Sequence, residues 1–210
     1  MLTPRRTATL LTLAATAAAA FALAGCATPA PSPSTPPASG FALSNCGFPV
    51  EITAPPERVI TIKSTSTEML LALGLGDRIV GSAFSDGPVA EEWASAAEDV
   101  PVLAERVPSQ EAVLELEPDF VYGGWESNFS ADGAGERAEL ATLGITSYVS
   151  PAACQSAEQP AKLDFDEVFR EIQEVADIFG VDASALLEAQ QAELAAIVEF
   201  PLEDVGQPSD

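Results

Sequence analysis

The chain contains no histidine among its 210 residues. Histidine is the side chain that most often serves as a general base or a metal ligand near neutral pH. Its absence excludes every Ser–His and Cys–His catalytic pair. A hydrolase would have to use a serine such as Ser64 or Ser66 with a carboxylate or Lys63 as its base, so the composition argues against an enzyme.

Basic residues are also scarce. Nine Lys and Arg residues oppose 32 Asp and Glu residues, which gives a formal net charge of −23. Nucleic-acid binding needs a basic surface that neutralises phosphates, so this composition argues against a nucleic-acid partner. The acidic residues are scattered rather than grouped, which indicates a solvated acidic surface.

Cysteine occurs three times, and the first cysteine lies in an informative place. Arg5 and Arg6 precede a short apolar stretch that ends in Leu-Ala-Gly-Cys26, a pattern that resembles the lipobox of bacterial lipoproteins. The sequence therefore predicts a signal peptide over residues 1–25 and a lipid on Cys26, and the alternative is a plain signal peptide that happens to contain a cysteine. Residues 26–40 are rich in Pro, Ser, Thr and Ala and predict a disordered tether.

Cys46 and Cys154 remain as an even pair once Cys26 carries lipid. An exported protein lies in an oxidising compartment, so we predict a disulfide between them. Two thiols without histidine fall short of the four ligands that structural zinc usually takes, and no metal site is predicted.

Beyond the tether, β-branched runs alternate with helical patterns, which predicts a parallel α/β sheet with helices on both faces. Residues 65–68 match a capping box in which Glu68 would reach back to the start of its helix, and Ser109 is predicted to cap another helix. Two amphipathic helices without an intervening strand are predicted over residues 164–200. The predicted strands lie in "VEITAPPERVITI", "DRIVGSAF", "DFVYGG" and "ITSYVS".

Three segments carry a family resemblance: "PPERVITIKSTSTEMLLALGLGDRIVGSAF", "VPSQEAVLELEPDFVYGGWESNF" and "LATLGITSYVSP". In this order they resemble the N-terminal lobe of solute-binding proteins that serve iron-siderophore and cobalamin ABC importers. The motifs "NCG", "TIKSTSTE", "GWESN" and "SPAACQ" are most similar to an actinobacterial branch assigned to a deazaflavin coenzyme precursor.

The resemblance implies two α/β lobes joined by a long helix, with the ligand held between the lobes. We therefore expect an N-terminal lobe over residues 41–163, an interlobe helical segment over 164–200 and a tail over 201–210. On this expectation the second lobe is absent, through a frameshift, an early stop or degeneration of a copy.

The implied function is delivery of a small ligand to an ABC permease by a lipoprotein on the outer face of the cell membrane, without catalysis or a cofactor. The alternative is a non-transport interaction module that binds ligand weakly.

Ligands of parallel α/β sheets bind at the carboxyl ends of the strands, which selects the loops after each predicted strand. Two of these loops carry aromatic rings and one carries Lys63, while Arg106 lies in a further segment that resembles ligand contacts of cobalamin-binding relatives. Together these residues predict a planar aromatic ligand with anionic or oxygen-rich groups. The alternative is that Lys63 and Arg106 only balance acids such as Glu68 and Glu105. The candidate ligand-binding residues are Lys63, Ser64, Thr65, Phe84, Ser85, Arg106, Trp125, Glu126 and Asn128.

Glu111 lies in the first turn of its predicted helix, where a carboxylate stabilises the helix dipole. By position it also resembles the surface glutamate with which family members dock onto arginines of the permease. Both interpretations stay open from the sequence.

Overall fold

The computed structural model describes residues 40–198. The predicted signal peptide, Cys26, the tether before Gly40 and the tail from residue 199 lie outside the described residues. Within them, no helix is both long enough and apolar enough to cross a membrane.

The described chain opens with a β-hairpin that the sequence patterns did not predict. Strands β1 (Phe41–Asn45) and β2 (Phe48–Ile52) pair antiparallel and are joined by Cys46 and Gly47. Both turn residues have positive φ, 53° and 74°. A two-residue turn with positive φ at both positions matches the twist of the strands it joins, and Gly47 adopts this conformation without steric cost.

A five-stranded parallel sheet follows, with the strand order β5-β4-β3-β6-β7. The strands are β3 (Val59–Ile62), β4 (Ile79–Ala83), β5 (Val102–Ala104), β6 (Phe120–Gly123) and β7 (Thr146–Val149). The helices are α1 (Ser64–Ala72), α2 (Ala94–Ala97), α3 (Gln110–Glu115), α4 (Arg137–Thr142), α5 (Phe165–Phe179) and α6 (Ser184–Val198). The predicted parallel α/β sheet is confirmed, and the short edge strand β5 was missed.

Helices cover both faces of the sheet, as the alternation of strands and helices predicts. On one face α3 and α4 bury Val113 and Leu140 against Ile60, Ile62 and Val121. On the other face α1 and α5 pack on β3, β6 and β7, together with part of the hairpin. The buried residues of this second cluster include Val50, Val59, Leu70, Leu71, Phe120, Tyr122, Tyr148, Val175, Ile178 and Phe179.

Helix α5 therefore shares a core with the sheet. The boundary expected between residues 163 and 164 does not coincide with a change of core, because Val175, Ile178 and Phe179 pack in the same cluster as Phe120 and Tyr122. The buried apolar residues of α5 recur at helical spacing, and they are Ile172, Val175, Ala176, Ile178 and Phe179. Phe165 and Val168, near the start of the helix, are exposed.

The predicted capping box at residues 65–68 is wrong. Helix α1 already begins at Ser64, and its N-cap residue Lys63 offers no side-chain cap. Because Ser66 lies inside the first turn, its hydroxyl donates to the carbonyl of Ile62 at 2.8 Å. Glu68 instead accepts a hydrogen bond from the amide of Ala90 at 3.1 Å. The predicted cap at Ser109 is confirmed, since its Oγ accepts from the amide of Ala112 at 3.3 Å.

Buried polar contacts fasten the hairpin to the sheet. The Asn45 side chain donates to the carbonyl of Val149 and accepts from the Val149 amide, both at 2.8 Å. The Arg137 guanidinium donates to the Asn45 carbonyl at 2.7 Å and to the Ser147 Oγ at 2.9 Å. Burial lowers the pKa of Arg137 to about 10, so the side chain remains charged at neutral pH. A disulfide joins Cys46 in the hairpin turn to Cys154 after β7.

Candidate functional site

The loops after β3, β4 and β6 meet at the carboxyl edge of the sheet and bring three predicted site residues together. The Lys63 Nζ lies 4.2 Å from the centroid of the Phe84 ring and 4.0 Å from that of Trp125. The two rings are 5.8 Å apart, with an interplanar angle of 85°. A cation over two ring faces is attracted by both ring quadrupoles.

The alternative interpretation from the sequence was that Lys63 only balances an acid such as Glu68. An acid does neutralise Lys63, but it is not Glu68. Lys63 forms an ion pair with Asp86, in the loop after β4, whereas Glu68 binds the Ala90 amide. The side chain of Lys63 is 3% exposed and that of Asp86 is 54% exposed. The Ser64 Oγ accepts a hydrogen bond from the Asp86 amide at 2.8 Å, which fixes the backbone of Asp86 beside α1.

The backbone that presents this cluster is strained. Lys63 has a φ of 87° and Phe84 a φ of 53°, and neither is a glycine. Each such conformation costs on the order of 1–3 kcal/mol and is typical of functional sites. These two residues follow the ends of β3 and β4, so the strain lies where a parallel sheet places its ligands.

Gly124 permits the close approach of two of these loops. A Cβ on Gly124 would lie 2.7 Å from the Lys63 Cβ and 2.7 Å from the Thr65 Oγ1. Real Cβ atoms essentially never come so close to other heavy atoms. The loop after β6 can therefore lie against the start of α1 only with glycine at this position.

Two of the predicted ligand-binding residues, Asn128 and Glu126, form hydrogen bonds within the protein. The buried Asn128 Oδ1 accepts from the Trp125 amide at 3.0 Å, which positions Trp125. Glu126 accepts hydrogen bonds from the amides of Gln155 and Ser156 and from the Ser156 hydroxyl. Burial opposes ionisation of Glu126, but these hydrogen bonds outweigh it and hold its pKa below the ordinary value. Glu126 therefore ties the loop after β6 to the loop after β7.

The remaining predicted residues lie at the rim or apart. Thr65 is exposed beside Gly124, and Ser85 is exposed on a cavity of about 370 Å³ whose lining also includes Glu105. Arg106 is exposed, and its side chain makes no hydrogen bond or ion pair within residues 40–198. Among the described residues, the ring and ion-pair contacts of the Lys63 cluster do not include Arg106.

The sequence patterns missed a pair of tyrosine–glutamate contacts beneath this edge. The Tyr122 hydroxyl donates to Glu171 and the Tyr148 hydroxyl to Glu174, both at 2.6 Å. Burial raises the pKa of both tyrosines well above the ordinary value. The available signal was the spacing of Glu171 and Glu174 beside the apolar stripe of α5, which places both carboxylates near the sheet.

The two serines considered as nucleophiles are both engaged in hydrogen bonds within the protein. The Ser64 Oγ is occupied by the Asp86 amide, and the buried Ser66 Oγ donates to backbone carbonyls, so neither serine contacts a general base. Within the described part of the chain no group of three or more acidic or cysteine side chains could hold a metal ion.

Comparison with known proteins identifies the family. Residues 59–199 match the periplasmic binding protein family, and the chain therefore belongs to it. A relative in Bacillus subtilis, described as an uncharacterized ABC transporter substrate-binding lipoprotein, is 29% identical over 152 residues. That match covers 71% of this chain and 43% of the relative.

Solved structures show the same fold. A periplasmic binding protein from Veillonella parvula is similar with a TM-score of 0.66 and 23% identity, over 80% of this chain and 55% of that one. A protein of an ABC-type Fe3+-hydroxamate transport system from Saccharomonospora viridis gives a TM-score of 0.62 and 26% identity, over 75% and 55% of the two chains. The chain thus spans about half the length of the relatives it matches.

Proposed function

We propose that the chain binds a small extracellular ligand and delivers it to the permease of an ABC importer. Membership of the periplasmic binding protein family and the description of the Bacillus subtilis relative support this role. The observation that carries the proposal is the cluster of Lys63, Phe84 and Trp125 at the carboxyl edge of the sheet.

The cluster favours a planar aromatic ligand with an anionic group. One face of each ring is covered by Lys63, and the rings stand nearly perpendicular, so a planar ligand cannot stack on both at once. Trp125 is 46% exposed and offers the larger free ring surface. A deazaflavin precursor or an aromatic ferric siderophore fits this description, with Trp125 as the stacking residue.

The proposed partner is the permease, and Glu111 is the proposed contact. Glu111 is exposed in the first turn of α3. Hydrogen bonds at the start of this helix, from its backbone and from Ser109, hold the Glu111 pKa below the ordinary value. A carboxylate that is ionised and exposed suits an arginine on a partner protein. Placement on the outer face of the cell membrane through Cys26 belongs to the same proposal.

Calorimetric titration of the full chain tests ligand binding. The panel comprises a deazaflavin precursor, ferric siderophores, haem and cobalamin. For the ligand that binds, Trp125→Ala should weaken affinity by about two- to tenfold, since an aromatic pair contributes about 0.5–1.5 kcal/mol beyond the buried area. Phe165→Ala is the matched control, because Phe165 is also an exposed aromatic residue but lies on α5 outside the strand-end loops.

Unchanged affinity of Trp125→Ala would place the ligand elsewhere. If no member of the panel binds, the non-transport interaction module becomes the better interpretation.

A further inference from the structure

We propose that Asp86 is an exchangeable counter-ion, which a carboxylate or phosphate group of the ligand displaces from Lys63. This inference rests on the proposed function, since it assigns the ligand group that the Lys63 cluster receives. Asp86 was not among the predicted ligand-binding residues. Its role would be to hold the anion position until a ligand arrives.

The two partners of the ion pair differ strongly in burial. Lys63 is 3% exposed, so its ammonium needs an anion beside it in every state of the protein. Asp86 is 54% exposed, so its carboxylate can turn into water and remain hydrated. Exchange of Asp86 for another anion therefore leaves neither charge buried without a partner.

The surroundings of the Lys63 Nζ leave one direction for a ligand. The rings of Phe84 and Trp125 cover the ammonium at 4.2 and 4.0 Å. Within residues 40–198, the Asp86 carboxylate is the one hydrogen-bond acceptor of an ammonium that carries three donors. An incoming anion would therefore approach from the exposed side on which Asp86 lies.

The backbone of Asp86 is anchored although its side chain is exposed. The Asp86 amide donates to the Ser64 Oγ at 2.8 Å, next to Lys63 in the chain. Rotation of the side chain can thus release Lys63 without movement of the loop, and the same rotation restores the pair when the ligand leaves.

The exchange has a consequence for selectivity. A neutral ligand group would be attracted to the Lys63 ammonium less strongly than the Asp86 carboxylate that it replaces. A cationic group would be repelled by Lys63. Only an anion replaces Asp86 without loss of charge balance. Trp125, with its free ring surface beside the ammonium, makes an aromatic acid or an aromatic phosphate the class of ligand that fits.

The experiment uses inorganic phosphate as the probe, so it needs no knowledge of the natural ligand. The chain has two lysines, Lys63 and Lys162, and an NMR spectrum of the lysine ε-methylene groups should show two sets of signals. Lys162 is the internal control because its side chain is 82% exposed. Phosphate should shift the Lys63 signal with saturation, and the carboxyl carbon signal of Asp86 should move with the same midpoint.

The variant Asp86→Asn sharpens the test. With the competing carboxylate removed, the phosphate midpoint at Lys63 should fall about fivefold, as expected when a half-exposed ion pair no longer competes. Asp99→Asn is the matched control: it makes the same change of charge at an exposed residue outside the cluster, and its midpoint should equal that of the wild-type chain.

The proposal is overturned if Lys63 does not respond to phosphate, if Asp86 does not move together with Lys63, or if Asp86→Asn binds phosphate no better than Asp99→Asn. Failure of the proposed function looks different. In that case Lys63 and Asp86 respond to phosphate as described, but no ligand of the panel binds. The phosphate titration of the wild-type chain still tests the proposal if the Asp86→Asn protein does not fold.

Discussion

At the scale of single residues, Glu171 of α5 is a carboxylate with a shifted pKa that lies against the sheet and accepts a hydrogen bond from Tyr122. Burial raises its pKa, although hydrogen bonds from Tyr122 and Ser150 act in the opposite direction and favour ionisation. The nearby carboxylate of Glu174 adds to the rise. Ionisation of Glu171 therefore lowers the stability of the folded chain.

We predict that Glu171→Gln stabilises the protein at neutral pH. A carboxyl group whose folded pKa is raised binds more protons in the folded than in the unfolded chain, so its contribution to stability falls as pH rises from the ordinary value of 4.5 through the raised pKa. Glutamine can still accept the hydrogen bond from the Tyr122 hydroxyl. Because glutamine does not ionise, the stability that Glu171 loses with rising pH is retained. Thermal unfolding at pH 5 and pH 7 should show a higher melting temperature for Glu171→Gln at pH 7 and a smaller difference at pH 5.

Glu188→Gln on α6 is the control for the change in net charge, since Glu188 is exposed. Equal shifts for Glu171→Gln and Glu188→Gln would mean that overall charge, rather than burial of Glu171, causes the effect.

The sequence predicted which side chains lie together at the edge of the sheet better than it predicted the partners of those side chains. Because parallel strands place their carboxyl ends at one edge, the strand-end rule brought Lys63, Phe84 and Trp125 into one candidate site. The same rule cannot tell which acid a lysine reaches, since that depends on side-chain rotation, and Asp86 rather than Glu68 proved to be the partner. For the same reason the internal roles of Glu126 and Asn128 were not foreseen.

At the scale of elements, contacts distant in sequence were the hardest to predict. The hairpin β1–β2 is held against the sheet by a hydrogen bond between Asn45 and Arg137, which are 92 residues apart. No local sequence pattern predicts a contact over such a separation. Elimination reached the pairing of Cys46 and Cys154 only because the lipobox accounts for the third cysteine. The family resemblance assigned helix α5 to the interlobe segment, and its amphipathic pattern alone did not reveal that Val175, Ile178 and Phe179 pack in the core of the sheet.

We predict that Gly124→Ala disturbs the packing of the loop after β6 against α1. The added Cβ would meet the Lys63 Cβ and the Thr65 Oγ1 at 2.7 Å each. Overpacking of this kind costs about 1–3 kcal/mol of unfolding free energy, and it should also change the fluorescence of Trp125, the next residue. Urea unfolding and tryptophan emission measure the two effects.

Gly87→Ala is the matched control, because a Cβ on Gly87 would meet no heavy atom within 4 Å. It should leave both measurements nearly unchanged. A Gly124→Ala protein as stable as Gly87→Ala would show that the two loops separate without cost.

At the scale of the whole molecule, the net charge of −23 decides how the chain can be held at a membrane. Surface attraction to anionic lipids requires clusters of Lys and Arg, each worth about 1 kcal/mol. This chain instead has 32 acidic residues, which anionic lipids repel. The composition therefore favours an anchor that works through hydrophobic burial, and a lipid on Cys26 is the anchor that we propose.

The resulting prediction is that Cys26→Ala prevents the membrane retention of processed protein. The thiol of Cys26 is the expected lipid attachment point, and the uncharged segment after it has nothing else with which to hold the surface. Fractionation of cells that express the variant should find the protein in the medium or as an unprocessed precursor. Ala27→Ser, which changes the neighbouring residue and keeps the thiol, should remain processed and membrane-bound. Processed Cys26→Ala protein that stays in the membrane fraction as fully as Ala27→Ser would show that the anchor lies elsewhere.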